Sequence, residues 1–546
     1  MDNTNRMYAQ PCPSNVACTL ITGDDLADYG KYLTDESRKK GQASAVAFPT
    51  STAEVAAAVR EAASNDWAVT VSGARNGVTA RAVPQGGLVL SMERMNRVLG
   101  LRQTADDECT ARCQPGVLLS ALQKAVRDAA FDDSADWDEA SRGCLQTLRE
   151  NAYFFPPDPT ETGASLGGLV ACNASGAHTF RYGPTRPYIV GLTVVLADGS
   201  RLALERGQCR ADASGCFILV RQDGQEVTVK VPTYRQPATK NVAGYYSGEG
   251  MDAVDLFIGS EGTLGVITEV NARLVRAPEG RSATMVFFRD ELNALEFTEE
   301  LRGQSDGCGV EAIEYFDPRS LRFLRESRRE KGAASGVPAC LPDDAACAVY
   351  LDIGTSADGI IHTLDSVARL AKKAGADAAR CWSAESYAER ERLRVFRHAL
   401  PEVVNDTISR IQKTYPGVTK LGTDMAVPDS ALRTILRVYR SELENAGLDY
   451  VIFGHIGDNH LHVNILPKTP EQYGTGKKLY LKFAEEVVRL GGSPAAEHGI
   501  GKLKTEFLKL MIGDRGIREM QAVKHTLDPR NRMGRGTLFG RVKGEG

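Results

Sequence analysis

FPPDPTETGASLGGLVACNASGAHTFRYG, residues 155–183, decides the reading of the fold. Glycines at 163, 167, 168, 176 and 183 punctuate it too closely for one regular element, so it is a loop region whose backbone approaches a ligand. Two other stretches have the same texture: GARNGVTARAVP at 73–84 and DLFIGSEGTLGVITE at 255–269. Each touches a β-rich run, such as GLTVVLADG at 191–199 or the strand expected at 88–91. Three glycine loops returning to one sheet imply one large ligand.

Upstream, residues 43–72 read as strand, helix, strand. Ser51 and Glu54 have capping-box spacing, Val55, Ala58, Val59 and Ala62 keep the helical period, and WAVTV at 67–71 is β-rich. From about residue 283 the glycine loops stop. Strand 284–288, helix 290–301, strand 310–316, a charged helix at 318–330, strand 348–353 and helix 360–374 alternate. Strand 424–427, helix 429–446, strands 450–455 and 460–466, and helix 477–490, closed by Gly491 and Gly492, continue the pattern. It predicts an α+β domain, an antiparallel sheet with helices on one face. Residues 493–546 are expected as a helical tail.

Composition removes several classes. With 66 basic and 70 acidic residues the net charge is −4, which signals neither a nucleic-acid surface nor an acidic tail. Apolar residues are 42% and charged residues 25%, excluding a disordered chain and a membrane bundle. The 12 cysteines form no Cys-x-x-Cys pair, and the spacings Cys109/Cys113, Cys12/Cys18 and Cys340/Cys347 fit no zinc or iron–sulfur template. The longest apolar run, 188–197, is half of the ~20 residues of a membrane span, and no signal-peptide layout opens the chain. A soluble, cytoplasmic protein is expected, with peripheral contact at the inner membrane face left open. GCGVEA at 307–312 follows a helix and opens a strand, the wrong context for a dinucleotide loop, and there is no Walker loop.

Chemistry concentrates late in the chain. In GHIGDNHLHVN, 454–464, His460 and His462 share a strand face and His455 approaches through a turn; AAEHGIGKLK, 495–504, adds Glu497 and His498. Four of the eight histidines lie in these two stretches. Imidazoles with a carboxylate are a normal ligand set for a divalent transition metal, and three protein ligands leave a position for substrate.

The three glycine blocks, in order and at their spacing, resemble the flavin domain of the vanillyl-alcohol-oxidase and p-cresol-methylhydroxylase (PCMH) flavoproteins, from YLTDES at 32–37 to about residue 275. That resemblance implies FAD lying between two α+β subdomains. The pyrophosphate would be held by Ser72, Gly73, Ala74, Arg75, Asn76, Gly77, Val78 and Thr79. Pro159, Thr160, Ser165, Gly168, Asn173, Ser175, Gly176, Tyr182, Gly262 and Val266 would also contact the cofactor. Arg75 and Asn76 stand where relatives commonly carry Gly and Thr, so phosphate contact through side chains is expected. No histidine lies between residues 1 and 177, and noncovalent FAD is expected.

The histidine motifs, with LDPRNRMGRGTLF at 527–539, resemble the C-terminal half of FAD-linked 2-hydroxyacid dehydrogenases, a group that includes D-lactate and D-2-hydroxyglutarate dehydrogenases and the glycolate oxidase flavin subunit. The resemblance implies His455, His462 and Glu497 as ligands of a divalent metal, zinc with manganese or iron as alternatives, and His498 as proton acceptor. His460, where many relatives have Asn, becomes a fourth ligand or a supporting residue. Arg397 would bind the substrate carboxylate, Lys420 would assist, and Lys240 and Asn241 would lie near the flavin. The implied organisation is an N-terminal segment (1–40), a PCMH-type FAD-binding domain (41–277), a substrate or cap domain (278–492) and a C-terminal segment returning to the flavin domain (493–546). The implied activity is oxidation of a small D-2-hydroxy acid, D-lactate before glycolate or D-2-hydroxyglutarate. Electron-transfer flavoprotein, a cytochrome or a quinone would be the acceptor. The helix expected at 319–331, with six basic and two acidic residues, is a candidate docking face, and a homodimer is left open. The alternatives are a chemistry like that of alkyl-dihydroxyacetonephosphate synthase and a non-catalytic flavin-binding subunit of a larger oxidase.

Overall fold

The computed structural model describes residues 4–103, 108–304 and 309–540. Gly307 and Cys308 of GCGVEA lie outside the described residues. The helix Thr52–Ser64 forms as its sequence dictates: the Ser51 hydroxyl accepts the Glu54 N–H at 3.3 Å, while Val55, Ala58, Val59 and Ala62 are buried. It crosses over a four-stranded sheet ordered Leu20–Thr22, Ala45–Ala47, Leu88–Ser91, Val69–Ser72, whose last three strands run parallel. A second, six-stranded antiparallel sheet contains Ile189–Val195, Val266–Arg276 and Cys109–Cys113. The glycine loops therefore do not return to one sheet. The first leaves the four-stranded sheet after Ser72, the third enters the six-stranded one at Val266, and the second caps the helix Leu166–Cys172 between them.

The later half builds a seven-stranded, wholly antiparallel sheet ordered Trp382–Ala384, Gly280–Phe288, Cys347–Thr355, Val310–Phe316, Tyr450–His455, His460–Ile465, Leu421–Gly422. Helices cover both of its faces rather than one. Val286 and Phe288 pack into a core with Leu295, Val367 and Leu436, whereas Met285 and Phe287 pack into another with Leu321, Phe396 and Leu400. The signal was in the strand VEAIEYF (Val310–Phe316), which is buried at every position where a one-sided strand would alternate.

Two boundaries differ from the expected ones. Residues 424–427 are not a strand: Ala426 alone makes isolated bridges, to His460 and Ser493. The helix expected from 477 begins at Pro470, with the Thr469 hydroxyl accepting the Gln472 N–H at 3.3 Å. Within its added first turns Gly476 allows close packing, since a Cβ there would lie 2.8 Å from Leu421 Cδ1.

After the helix Thr505–Leu527 the tail joins the four-stranded sheet. Val69 N–H donates to Arg532 O at 2.8 Å and Gly534 N–H to Val69 O at 2.9 Å. Buried Lys524 ties the junction, its ammonium donating to Thr263 O (2.7 Å), Met533 O (2.7 Å) and Asp528 Oδ2 (2.5 Å). No helix among the described residues is long and apolar enough to cross a membrane. Lys524→Met strands the Asp528 carboxylate and is expected to lower stability by about 3–5 kcal/mol. Adding Asp528→Asn should restore part of that loss, and denaturant titration of the three variants checks both.

Candidate flavin and metal site

The first two glycine blocks pack directly on each other, for a Cβ on Gly73 would lie 2.2 Å from Ser165 Oγ. Gly262, at φ +73°, passes beneath Val71. This arrangement leaves Ser72 Oγ, Asn76 Oδ1 and Ser175 Oγ buried without a hydrogen-bond partner. Buried polar atoms are rarely abandoned, and three orphans on the two packed loops fit a polar ligand such as a pyrophosphate-containing cofactor. Arg75 departs from its expected part. Its backbone has φ +62°, a region glycine enters without strain, and its guanidinium lies over the Tyr32 ring (4.6 Å) and 3.7 Å from Glu93 Oε2. Tyr182 gives its hydroxyl to Glu311, and Asn173 Oδ1 accepts the Arg186 N–H at 2.9 Å.

The histidines converge. One ligand atom from each of His455, His460, His462 and Glu497 falls within 4.8 Å of the others. His455 Nδ1 meets Glu314 Oε1 at 2.5 Å, turning Nε2 toward Glu497 Oε1 at 3.2 Å. His462 Nδ1 donates to Thr423 O at 3.1 Å, leaving Nε2 as its lone-pair nitrogen. Carboxylate or carbonyl support behind a ligating imidazole is the usual way that tautomer and orientation are fixed. His460 is fully buried with neither ring nitrogen hydrogen-bonded; Nδ1 is 3.6 Å from Glu497 Oε1 and Nε2 3.3 Å from Asp424 Oδ1. An orphaned imidazole beside two partly satisfied ones fits a metal that the donors share. Lys240 donates to Glu497 Oε1 (2.5 Å) and Gly176 O (2.8 Å), carrying positive charge to the same carboxylate. Burial disfavours the charge on His455, but Glu314 and Glu497 outweigh it and push the imidazole up to about 9.

Sequence reasoning missed two residues that hold this cluster. Asp424, fully buried, accepts Glu497 N–H (2.9 Å), His498 N–H (3.0 Å) and the Lys504 ammonium (2.7 Å). Glu314 joins His455 to Arg397, whose Nη2 is 3.3 Å from Glu314 Oε2. Two acidic residues, Glu311 and Glu314, inside an otherwise apolar strand were the available signal for Glu314. His498 stacks on His462 at 6.0 Å between centroids with its side chain 41% exposed. Burial of the site, only partly offset by Asp424, lowers its basicity, so it is neutral near pH 7.

Residues 277–538 match the family described as FAD linked oxidases, C-terminal domain, and residues 43–145 and 144–205 match an FAD binding domain. The chain belongs to the FAD-linked oxidases. It is 27% identical over 535 residues to a D-2-hydroxyglutarate dehydrogenase of Stutzerimonas stutzeri (95% of this chain, 96% of that one). It is 26% identical over 521 residues to a D-lactate dehydrogenase of Anaerostipes hadrus (93% and 90%), and 26% identical over 461 residues to the glycolate oxidase subunit GlcD of Bacillus subtilis (83% and 80%). A solved alkyldihydroxyacetonephosphate synthase shares the fold, with a TM-score of 0.59 at 15% identity over 94% of this chain and 81% of that one.

Two features expected of this FAD-linked oxidase, one residue and one helix, depart from their expected parts. Lys420 is exposed and bonded to Asn405 Oδ1 at 2.9 Å. The basic helix Pro318–Lys331 neutralises much of its charge: Arg319 pairs with Glu444, Arg322 with Glu326 and Lys331 with Asp406, while Arg325 donates to Pro342 O and Ala345 O. It is not the free cationic face its sequence implied. A contact absent from the sequence reading joins the second glycine block to the seven-stranded sheet. His178 Nδ1 is 3.1 Å from Asp158 Oδ2 and Nε2 is 3.2 Å from Asp352 Oδ2. Burial opposes its charge, yet the two carboxylates raise it from 6.5 to about 9. A raised histidine stabilises fully below its unfolded value and loses that contribution as pH climbs through the folded one. Stability should therefore decline between about pH 6.5 and 9. His178→Gln should flatten that part of the profile, read by thermal unfolding across a pH series.

Proposed function

We propose that this protein oxidises a small D-2-hydroxy acid, D-lactate before glycolate or D-2-hydroxyglutarate, to the 2-oxo acid. The observation that carries the reading is the placement of His498. It stands beside four converging donors, on a segment whose Gly501 lies against the flavin loop: Lys502 N–H donates to Thr79 O at 2.9 Å, and a Cβ on Gly501 would lie 2.1 Å from that oxygen. The relatives named for D-2-hydroxyglutarate, D-lactate and glycolate support the substrate class. Likeness to the alkyldihydroxyacetonephosphate synthase extends to the fold alone, and the donor cluster favours the dehydrogenase over a non-catalytic flavin-binding subunit.

Neutral His498 accepts the hydroxyl proton, and Arg397, held by Glu314, supplies the cation for the carboxylate. FAD, held noncovalently between the glycine loops, would supply the hydride acceptor. A divalent ion, zinc with manganese or iron as alternatives, would be held by His455, His462 and Glu497 with His460 as fourth donor, and would supply Lewis-acid polarisation of the hydroxyl. Electrons would leave to electron-transfer flavoprotein, a cytochrome or a quinone.

Anaerobic mixing with the D and L forms of lactate and 2-hydroxyglutarate, and with glycolate, tests the activity: flavin absorbance should bleach with a D acid or glycolate and not with the L acids. Bleaching by none of them removes the reading. His498→Gln should retain FAD while bleaching slows by roughly 10²–10⁴. A chelator should stop bleaching without releasing FAD. Acid precipitation should leave all flavin in the supernatant, and flavin in the pellet would reveal a covalent bond.

A further inference from the structure

An open groove of roughly 710 Å³ runs beside the flavin loop, and it shares no residue with the expected FAD contacts or with the histidine cluster. Its walls come from three distant parts of the chain: residues 39–42, residues 80–86 directly after the loop, and the tail, with Lys502, Asn531 and Arg535. Four cations, Lys39, Lys40, Lys502 and Arg535, face it, and no acidic residue lines it. Among the described residues none of the four has a carboxylate within 4 Å, in a protein where most buried or half-buried cations are paired. The Lys502 ammonium donates only to the carbonyls of Ala80 (3.1 Å) and Arg81 (2.9 Å). Burial lowers it to about 8, and the carboxylates it senses, Asp35 and Glu261, stand farther off. Arg535 Nε is buried without a partner. Arg38, next in sequence, adds to the field and is felt by Lys420 across the surface.

We propose that this groove is where an acidic protein electron acceptor docks. The proposal rests on the dehydrogenase reading and adds to it the place and charge of the partner. Small-molecule sites are mostly apolar with a few polar anchors, whereas this groove is cationic and open. Electron carriers form small, charged, transient contacts whose encounter rate follows electrostatic complementarity. Location agrees: Ala80 follows the flavin loop, and Lys502 lies four residues beyond His498 and is bonded to Thr79, so a carrier seated here meets the backbone that encloses the cofactor site. Two carrier molecules, each taking one electron in turn, return the two-electron-reduced flavin to its oxidised form while its protons pass to solvent.

The test uses holoenzyme whose flavin is reduced by dithionite, so it does not depend on the substrate assigned above. Reoxidation is followed with an electron-transfer flavoprotein of acidic pI and, separately, with benzoquinone. In wild type the protein-acceptor rate should fall steeply with salt and the quinone rate should not. Lys39→Glu/Lys40→Glu, at two exposed positions, should slow the protein acceptor at least tenfold, abolish its salt dependence and leave benzoquinone unchanged; Lys39→Arg/Lys40→Arg should behave as wild type. An unchanged protein-acceptor rate in the Glu variant overturns the proposal, as does an equal loss with both acceptors, which would place the damage at the flavin. Loss of sedimentation with phosphatidylglycerol vesicles while the protein-acceptor rate is kept would assign the groove to a lipid surface and overturn it too. Failure of every hydroxy acid to bleach the flavin, with these rates as expected, would remove the substrate reading and leave the docking site standing.

Discussion

Two buried carboxylates, Asp424 and Glu261, hold the segment AEHGIG in place, and the rest of the site depends on them. Asp424 takes the N–H groups of Glu497 and His498, and Glu261 takes those of Ile500 and Gly501 at 2.8 and 2.7 Å. Four successive donors apart from Gly499 are thus read by two anions from opposite directions, one from the cap region and one from the third glycine loop. Hydrogen bonds to charged groups contribute roughly 1.5–3 kcal/mol each. Glu261 sits at φ +53°, a conformation glycine would adopt without strain. A cost of about 1–3 kcal/mol at such a residue is offset by what its carboxylate holds.

From that clamp the division of labour follows. The glycine loops present backbone and the unbonded hydroxyls of Ser72 and Ser175, and the seven-stranded sheet presents the imidazoles of His455, His460 and His462 from adjacent antiparallel strands. Acidic side chains alternate with basic ones in series, Arg397 to Glu314 to His455 to Glu497 to Lys240, from the seven-stranded sheet to the segment beside Gly176. Every buried ion in that series has an opposite neighbour, which is the condition under which buried charge is tolerated. Removing an interior member of the series deprives both of its neighbours of a partner.

Much of this was legible in the sequence because its signals are local. Ser51 with Glu54, the β-rich run before Ser72, and His460 with His462 on one strand face each need only a few residues to be recognised. What escaped depends on partners far away in the chain. The two-faced burial of the cap sheet was hidden because its strands were read for type and not for alternation. Asp424 gave no signal because its importance lies in backbone groups 73 and 74 residues later. The basic helix misled for the same reason: Glu444 and Asp406, which neutralise it, come from other elements. Conversely Lys39, Lys40, Lys502 and Arg535 carry no shared motif, and only folding makes them neighbours.

The pairing of Val69 with Arg532 and Gly534 carries a consequence for biosynthesis. The strand that leads into the first glycine loop is made early, whereas the segment that completes its edge emerges more than 460 residues later. At roughly 5–20 residues per second, about half a minute to a minute and a half separates the two on the ribosome. Throughout that interval the edge at Val69 is unpaired, and Thr79 lacks the backbone of Lys502. Long-range pairing of this kind is slow and leaves exposed edges open to aggregation. The strand and loop around the first glycine block therefore gain their last backbone partners only once the tail has been made.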